Sequence, residues 1–203
     1  SAGGGPIDPT LGDGAIAVQE PFVESGHPPL LRDLGVAMCR RHRDDRACAA
    51  FRRGQELLQR AAEPPSADAD ALASLAGTWR GADDELARSL YRRAYEADPG
   101  NPYPLGNYLE MEIARQGTLA MVPLLAPSLR AAILRCHDQA SVGMNMPWAF
   151  YDLGKLHLLL GEPYESLDAY ARGIAVSATG SPIESALQSI NLLDRAVGDA
   201  LPS

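Results

Sequence analysis

The sequence predicts an all-α protein built from pairs of antiparallel helices. From Leu30 onward, Ala, Leu and Arg recur at helical spacing, and no segment shows the alternation of β-branched residues that a half-buried strand requires. Prolines and glycines interrupt this pattern at intervals of about one helix. With 203 residues, 46% of them hydrophobic, the chain is long and apolar enough to bury a core.

The first 28 residues differ from the rest in composition. They hold six glycines and four prolines and show little apolar periodicity, so residues 1–28 are predicted to form a flexible tail. Four apolar side chains are available for docking on the folded part, namely Ile16, Val18, Phe22 and Val23. The start at Ser1-Ala2, without Met, suggests a cleaved tag or a fragment excised from a longer chain.

Nine helices are predicted after the tail, eight of them in consecutive pairs. Their ranges are 30–42 with 45–61, 68–80 with 83–97, 103–116 with 120–141, 147–160 with 163–178, and a last helix at 183–199. The breakers between them are Pro64-Pro65, Gly81, Pro99-Gly100, Gly117, Gly161-Glu162-Pro163 and Gly180-Ser181-Pro182. Helices of this length suit antiparallel hairpins, each of which buries too little surface to be stable alone.

A frame of 34 residues recurs along this helical region. In 147–180, positions 7, 8, 15, 24 and 27 are Leu153, Gly154, Gly161, Tyr170 and Gly173. In 68–101, positions 20, 24, 27 and 32 are Ala87, Tyr91, Ala94 and Pro99, and in 28–61, positions 7, 8, 20, 24 and 27 are Leu34, Gly35, Ala47, Phe51 and Gly54. Small residues let two helices approach closely, and the aromatic residue fills the space beside them.

This pattern resembles the tetratricopeptide repeat (TPR). The resemblance implies an α-solenoid of about four TPR-like hairpins over residues 29–203, with units at 28–61, 68–101, 102–146 and 147–180. The unit 102–146 departs most, because it has 45 residues and prolines at 123 and 127, and it is either a lengthened helix pair or a break in the solenoid. The helix at 183–199 is expected to be a capping helix, with Leu187, Ile190, Leu193 and Val197 on its apolar stripe.

The resemblance also implies a function, because TPR superhelices bind peptides or partner helices in a concave groove. We therefore expect a protein-interaction or regulatory scaffold module. The alternative is a sensor domain for a small ligand or signalling peptide, and an enzyme ranks third. Groove positions of the family fall on nine residues here: Arg32, Arg80, Tyr103, Asn107, Glu110, Trp148, Tyr151, Asp152 and Lys155. The set of Lys and Asn with which one TPR subgroup grips a peptide carboxylate is not present.

Composition argues against several other classes of partner. The net charge of −8 disfavours nucleic acid, and no apolar run is long enough for a membrane span. Three cysteines in no metal-ligand spacing predict free thiols and a cytoplasmic location. Basic residues that are almost all Arg, with abundant Ala, Gly and Asp, indicate a GC-rich bacterial genome.

Two short segments carry residues that are common in catalysis or in nucleic-acid binding. The run RRHRDDRACAAFRR, 40–53, is interpreted as a solvated hairpin turn, and docking of an acidic partner there is the alternative. Cys136-His137-Asp138 is interpreted as a buried Cys with a surface His and Asp, because helix neighbours point in different directions. His157 is predicted to be a hydrogen-bonded core residue. No catalytic, cofactor or metal site is predicted.

Overall fold

The computed structural model describes residue 23 and residues 26–64 and 68–198. These residues form helices connected by turns, with no strand among them, which confirms the all-α prediction. They group into two compact units, one ending at Ala97 and the other beginning at Asp98. No helix in the described ranges combines the length and the apolar character that a bilayer-spanning segment needs.

The predicted tail lies largely outside the described residues. Of its members, Val23 is described and is only 5% exposed, and the Arg60 guanidinium donates to its carbonyl oxygen at 3.3 Å. Docking of Val23 on the first unit is therefore confirmed. The first helix begins at Pro28, the last residue assigned to the tail, since proline is well suited to the first helical position.

The described residues of the first unit form four helices in two hairpins. Helix α1 packs against α2, α3 against α4, and α2 and α1 both contact α3. Polar groups fix the joint between the hairpins, because the Arg46 guanidinium donates to the carbonyl oxygens of Thr78 and Arg80 at 3.2 and 3.0 Å. The helix bounds are α1 Pro28–Arg41, α2 Ala49–Ala62, α3 Ala69–Trp79 and α4 Asp84–Ala97.

In the second unit, the part of the chain that the structure describes forms five more helices. Helix α6 continues through Pro127 without a break and contacts α5, so residues 102–141 form two contacting helices joined by a short turn. Helix α7 contacts α5, α6 and α8, and α9 returns to pack along α5. The helix bounds are α5 Pro102–Gln116, α6 Val122–Ser141, α7 Trp148–Leu159, α8 Pro163–Val176 and α9 Gly180–Val197.

Small residues determine how closely the hairpins pack. In the first unit, a Cβ added at Gly35 would lie 2.8 Å from the Gly54 carbonyl oxygen, and one added at Gly54 would lie 2.6 Å from the Cys39 sulfur. In the second unit, a Cβ at Gly154 would lie 2.8 Å from carbons of the Tyr170 ring. These contacts are the close approach between paired helices that small residues at frame positions 8 and 27 predict.

Two helix starts differ from the prediction by three residues or more. Helix α2 begins at Ala49 rather than near residue 45, because the Cys48 sulfur accepts the Phe51 amide at 3.3 Å and caps the helix there. Helix α9 begins at Gly180 rather than at 183. The segment Gly180-Ser181-Pro182 is therefore a first helical turn and not a breaker, since amides of the first turn need no intrahelical acceptor.

The predicted apolar stripe of the last helix is partly wrong. Leu193 and Val197 are buried, but Leu187 is 52% exposed, and the third residue on the buried side is Ser189. The cause is tertiary, because α9 lies mainly along α5 rather than on the end of the α7–α8 hairpin.

Candidate functional site

Seven of the nine predicted groove residues lie on two contacting helices of the second unit. Tyr103, Asn107 and Glu110 are on α5, and the other four are on α7. We call this surface the α5–α7 face; its residues are Tyr103, Asn107, Glu110, Trp148, Tyr151, Asp152 and Lys155. Helix α9 also touches both helices, so the face holds the C-terminal helix of the chain.

The start of α5 fixes the first two residues of the face. Asn101 caps the helix, its side-chain oxygen accepting the Tyr103 amide at 3.2 Å, and Pro102 occupies the first turn. One turn later, the Asn107 side chain donates to the Tyr103 carbonyl oxygen at 2.8 Å. Tyr103 and Asn107 both remain partly exposed and are accessible from solvent.

A buried ion pair joins the helices of the face. The Lys155 ammonium donates to the Glu110 carboxylate at 2.9 Å, and the hydroxyl of Ser189, on α9, donates to the same carboxylate oxygen. The Glu110 side chain is 2% exposed and that of Lys155 is 11% exposed. We call Glu110, Lys155 and Ser189 the polar anchor. Removing one member of such a group leaves a buried charge without its partner, which is costly.

Asp152 lies one turn before Lys155 and is the second carboxylate of the face. It forms no ion pair or hydrogen bond with another described residue, and it keeps part of its surface exposed. Burial raises the pKa of Asp152 to about 6; Lys155 lowers it and Glu110 raises it further. Two carboxylates against one ammonium leave a net negative charge when Asp152 is ionised. The face therefore favours a cationic group in contact with Asp152.

Aromatic rings complete the face. The Trp148 and Tyr151 rings meet edge to face with centroids 6.2 Å apart, and the Tyr151 and Tyr170 rings lie 6.3 Å apart. Tyr151 is 5% exposed, and its hydroxyl is hydrogen-bonded to the Ser177 hydroxyl at 2.8 Å, so it supports Trp148 from beneath. Trp148 itself is partly exposed and offers an apolar surface with a polar N–H.

The remaining two predicted residues belong to the first unit. Arg32 is engaged by three carboxylates, with Asp33 at 3.0 Å, Asp68 at 3.2 Å and Asp70 at 3.7 Å. Burial lowers the pKa of Arg32, but these three carboxylates together raise it above its ordinary value. Arg80 ends α3 and its carbonyl oxygen accepts from Arg46. Both positions thus have local structural partners.

The side chains that the sequence analysis considered as catalytic groups lie either in the core or on the exposed surface. Cys136 is fully buried while His137 and Asp138 are exposed, which confirms the interpretation of that segment. Burial raises the pKa of the Cys136 thiol, and Asp152 raises it further, so the thiolate that a nucleophile requires is disfavoured. His157 is 9% exposed, with its Nδ1 2.7 Å from the Glu162 carboxylate, which confirms a hydrogen-bonded core histidine.

The other two cysteines also fit the sequence interpretation. Cys39, Cys48 and Cys136 are all free thiols, as predicted. Burial raises the pKa of Cys39 to about 12, and Cys48 nearby raises it further. Among the described residues, no group of His, Cys, Asp and Glu has the spacing to hold a metal ion. The Arg residues at 40, 41, 43 and 46 are exposed, as a solvated turn requires, and Arg46 also donates to the carbonyl oxygens of Thr78 and Arg80.

Sequence reasoning missed Ser189. It is 79 residues from Glu110 along the chain, and its own surroundings in the sequence are those of an ordinary helix. The only available signal was its place four residues before Leu193 and eight before Val197, on one helical face with them. Comparisons of this chain with known protein families, with curated proteins and with solved structures found no match.

Proposed function

We propose that the chain is a protein-interaction module of TPR-like hairpins, and that the α5–α7 face binds a peptide or helix of a partner protein. The close packing at Gly35, Gly54 and Gly154 supports the TPR-like part of this proposal, because the small residues of the repeat pattern permit such packing. In TPR-like hairpins, the first helices of successive units present their side chains to one groove. Helices α5 and α7 are the first helices of their hairpins.

The observation that carries the proposal is the position of α9. A helix of this chain lies on α5, with Ser189 hydrogen-bonded to Glu110 and with Leu193 and Val197 buried. The surface is therefore of a kind that accepts a helix through one polar contact and apolar side chains four residues apart. Binding an amphipathic helix in a groove is a common mode of peptide recognition.

The part of the face that stays exposed favours one kind of ligand. Asp152 forms no hydrogen bond or direct ion pair among the described residues, although ionising it in a largely desolvated position opposes folding. A carboxylate in a position where its ionisation opposes folding is a candidate functional residue. A Lys or Arg of the partner would neutralise it, and an apolar or cationic side chain would cover Trp148. We therefore expect basic, amphipathic peptides to bind.

Selection of peptides tests this proposal. A random 12-residue peptide library displayed on phage would be selected against the full chain, and the recovered peptides measured by fluorescence polarisation. We expect enrichment in Lys and Arg, and a loss of affinity of about tenfold or more for Asp152→Asn and for Trp148→Ala. The matched control is Asp138→Asn, which removes an exposed carboxylate from α6 and should leave binding unchanged. Equal binding to wild type and both face variants would overturn the proposal.

A further inference from the structure

Helix α8 carries large apolar side chains that nothing in the described chain covers. Tyr164 is 83% exposed, Leu167 is 67% exposed and Ile174 is 53% exposed. With exposed Ala171, they recur at intervals of three, four and three residues, which places them on one stripe of the helix. Single exposed apolar residues are ordinary, but a continuous stripe along a helix is typical of an interaction surface.

The opposite side of α8 explains why the stripe faces outward. Its buried residues are Ser166, Ala169 and Gly173, all small, and they pack against α7. Gly173 lies where an added Cβ would be 3.0 Å from the Tyr151 ring, so the helix cannot rotate to exchange its two sides. Helix α9 turns back to α5 and leaves the stripe uncovered.

The charges beside the stripe indicate what covers it. Asp168 and Arg172 lie along one edge of the stripe and form an exposed pair at 2.9 Å. In two copies of α8 packed antiparallel about a two-fold axis, the charged edges of both helices fall on the same side. If the axis passes near residue 170, Asp168 lies opposite the partner's Arg172, and Arg172 lies opposite the partner's Asp168. The same register brings Leu167 close to the partner's Ile174, so the apolar and the charged contacts agree.

We propose that the α8 stripe is a homodimer interface, in which two copies of this chain pack α8 against α8 antiparallel about a two-fold axis. The contact involves one helix of about 21 Å from each copy, at 1.5 Å per residue, which is small for a permanent dimer. Association is therefore expected at roughly 10 to 100 µM rather than at nanomolar concentration. This interface uses none of the residues of the α5–α7 face, so it stands apart from the proposed function.

Sedimentation equilibrium tests the interface directly. Across about 5 to 500 µM, the average mass of the wild-type chain should rise from the 21.6 kDa of a monomer toward twice that value. Leu167→Asp should hold the mass at that of the monomer. The matched control is Leu134→Asp, because Leu134 is 66% exposed on α6, outside the stripe, and this variant should associate as the wild type does. A wild type that stays monomeric throughout, or a Leu167→Asp variant that associates normally, would overturn the proposal.

A charge exchange tests the antiparallel register. Asp168→Arg gives a copy with two positive charges on the edge, and Arg172→Asp gives a copy with two negative charges. Each variant alone should stay monomeric, because like charges face each other, whereas an equimolar mixture should form a heterodimer. The internal pair of α8 is lost in both variants, so its loss cannot explain recovery in the mixture. Circular dichroism of each variant checks that it remains helical, and a mixture that stays monomeric would contradict the two-fold arrangement.

Discussion

Because Tyr170 packs over Gly154, we predict that Gly154→Ala lowers the free energy of unfolding, whereas such a substitution usually raises it. Replacing a helical glycine by alanine ordinarily stabilises a protein by about 0.5 to 1 kcal/mol, because alanine restricts the unfolded chain and favours helix. At Gly154 the added Cβ would lie 2.8 Å from three carbons of the Tyr170 ring, well inside the usual carbon–carbon contact of about 3.5 to 4.0 Å. The ring belongs to α8, so α7 and α8 would have to separate.

The structure sets the size of the effect. Overpacking of this kind costs about 1 to 3 kcal/mol, and the helix preference of alanine offsets part of that. Gly154→Ala should therefore lower the free energy of unfolding by about 1 to 2 kcal/mol. In a Tyr170→Ala background the ring is absent, and the same substitution should instead stabilise by about 0.5 kcal/mol.

Urea denaturation followed by far-ultraviolet circular dichroism measures these differences. The matched control is Gly106→Ala on α5, where the added Cβ would lie at ordinary contact distances of 3.8 to 4.0 Å from the Lys155 side chain and should raise the unfolding free energy. Opposite signs at Gly154 and Gly106 are the expected result. If Gly154→Ala stabilised the wild-type chain as Gly106→Ala does, the close packing of α7 on α8 would be refuted.

Three further predictions concern the α5–α7 face. Because burial raises the pKa of Asp152 from 3.8 to about 6, the folded state binds a proton more tightly than the unfolded state between these pH values, and stability rises as the pH falls through that window. Asp152→Asn should therefore stabilise the chain by up to about 3 kcal/mol at pH 8 and by almost nothing near pH 4, measured by urea unfolding. Glu110→Gln removes the carboxylate that is hydrogen-bonded to Lys155 and should cost about 2 kcal/mol, against less than about 0.5 for Glu96→Gln in an exposed pair. Ser189→Asp places a second carboxylate against Glu110 and should speed hydrogen exchange of the α9 amides, whereas Ser189→Ala should do so much less.

Each of these has a result that would count against it. A stabilisation by Asp152→Asn that did not change between pH 8 and pH 4 would show that ionisation is not the cause; Asp138→Asn, at an exposed site, provides the baseline. If Glu110→Gln and Glu96→Gln lowered the free energy of unfolding equally, the polar anchor would stabilise the fold no more than an exposed ion pair does. Unchanged protection of α9 in Ser189→Asp would mean that the helix is not held by this contact.

The parts of the fold that sequence predicted are those set by local chemistry. Prolines and glycines mark most of the turns between helices, so the number and order of the helices followed from them, although Pro127 and Pro182 lie inside α6 and α9. The small residues Gly35, Gly54 and Gly154 predicted close helix pairs, because a helix surface without side chains lets the neighbouring helix approach closely. A sulfur cap such as Cys48 is an uncommon helix start, and the beginning of α2 was therefore placed too early.

The parts that sequence did not predict depend on contacts between distant segments. Nothing near Leu187 shows that α9 returns to α5 rather than stacking on the last hairpin, because both arrangements bury an apolar stripe. In the structure Ser189 of α9 is hydrogen-bonded to Glu110 of α5, and a hydroxyl in an amphipathic helix gives no indication of its acceptor. Likewise, the frame placed Glu110 on a groove surface, but its near-complete burial is a consequence of α9.

The central claim is that the α5–α7 face binds a protein ligand, and the two tryptophans of the chain allow a direct measurement. In a ¹⁵N-labelled sample, Trp79 and Trp148 each give one indole N–H resonance, and Trp148 alone belongs to the face. Titration with the tightest-binding peptide from the library should shift the Trp148 indole resonance and leave that of Trp79 in place. Binding of the peptide with the Trp148 resonance unmoved would contradict the claim.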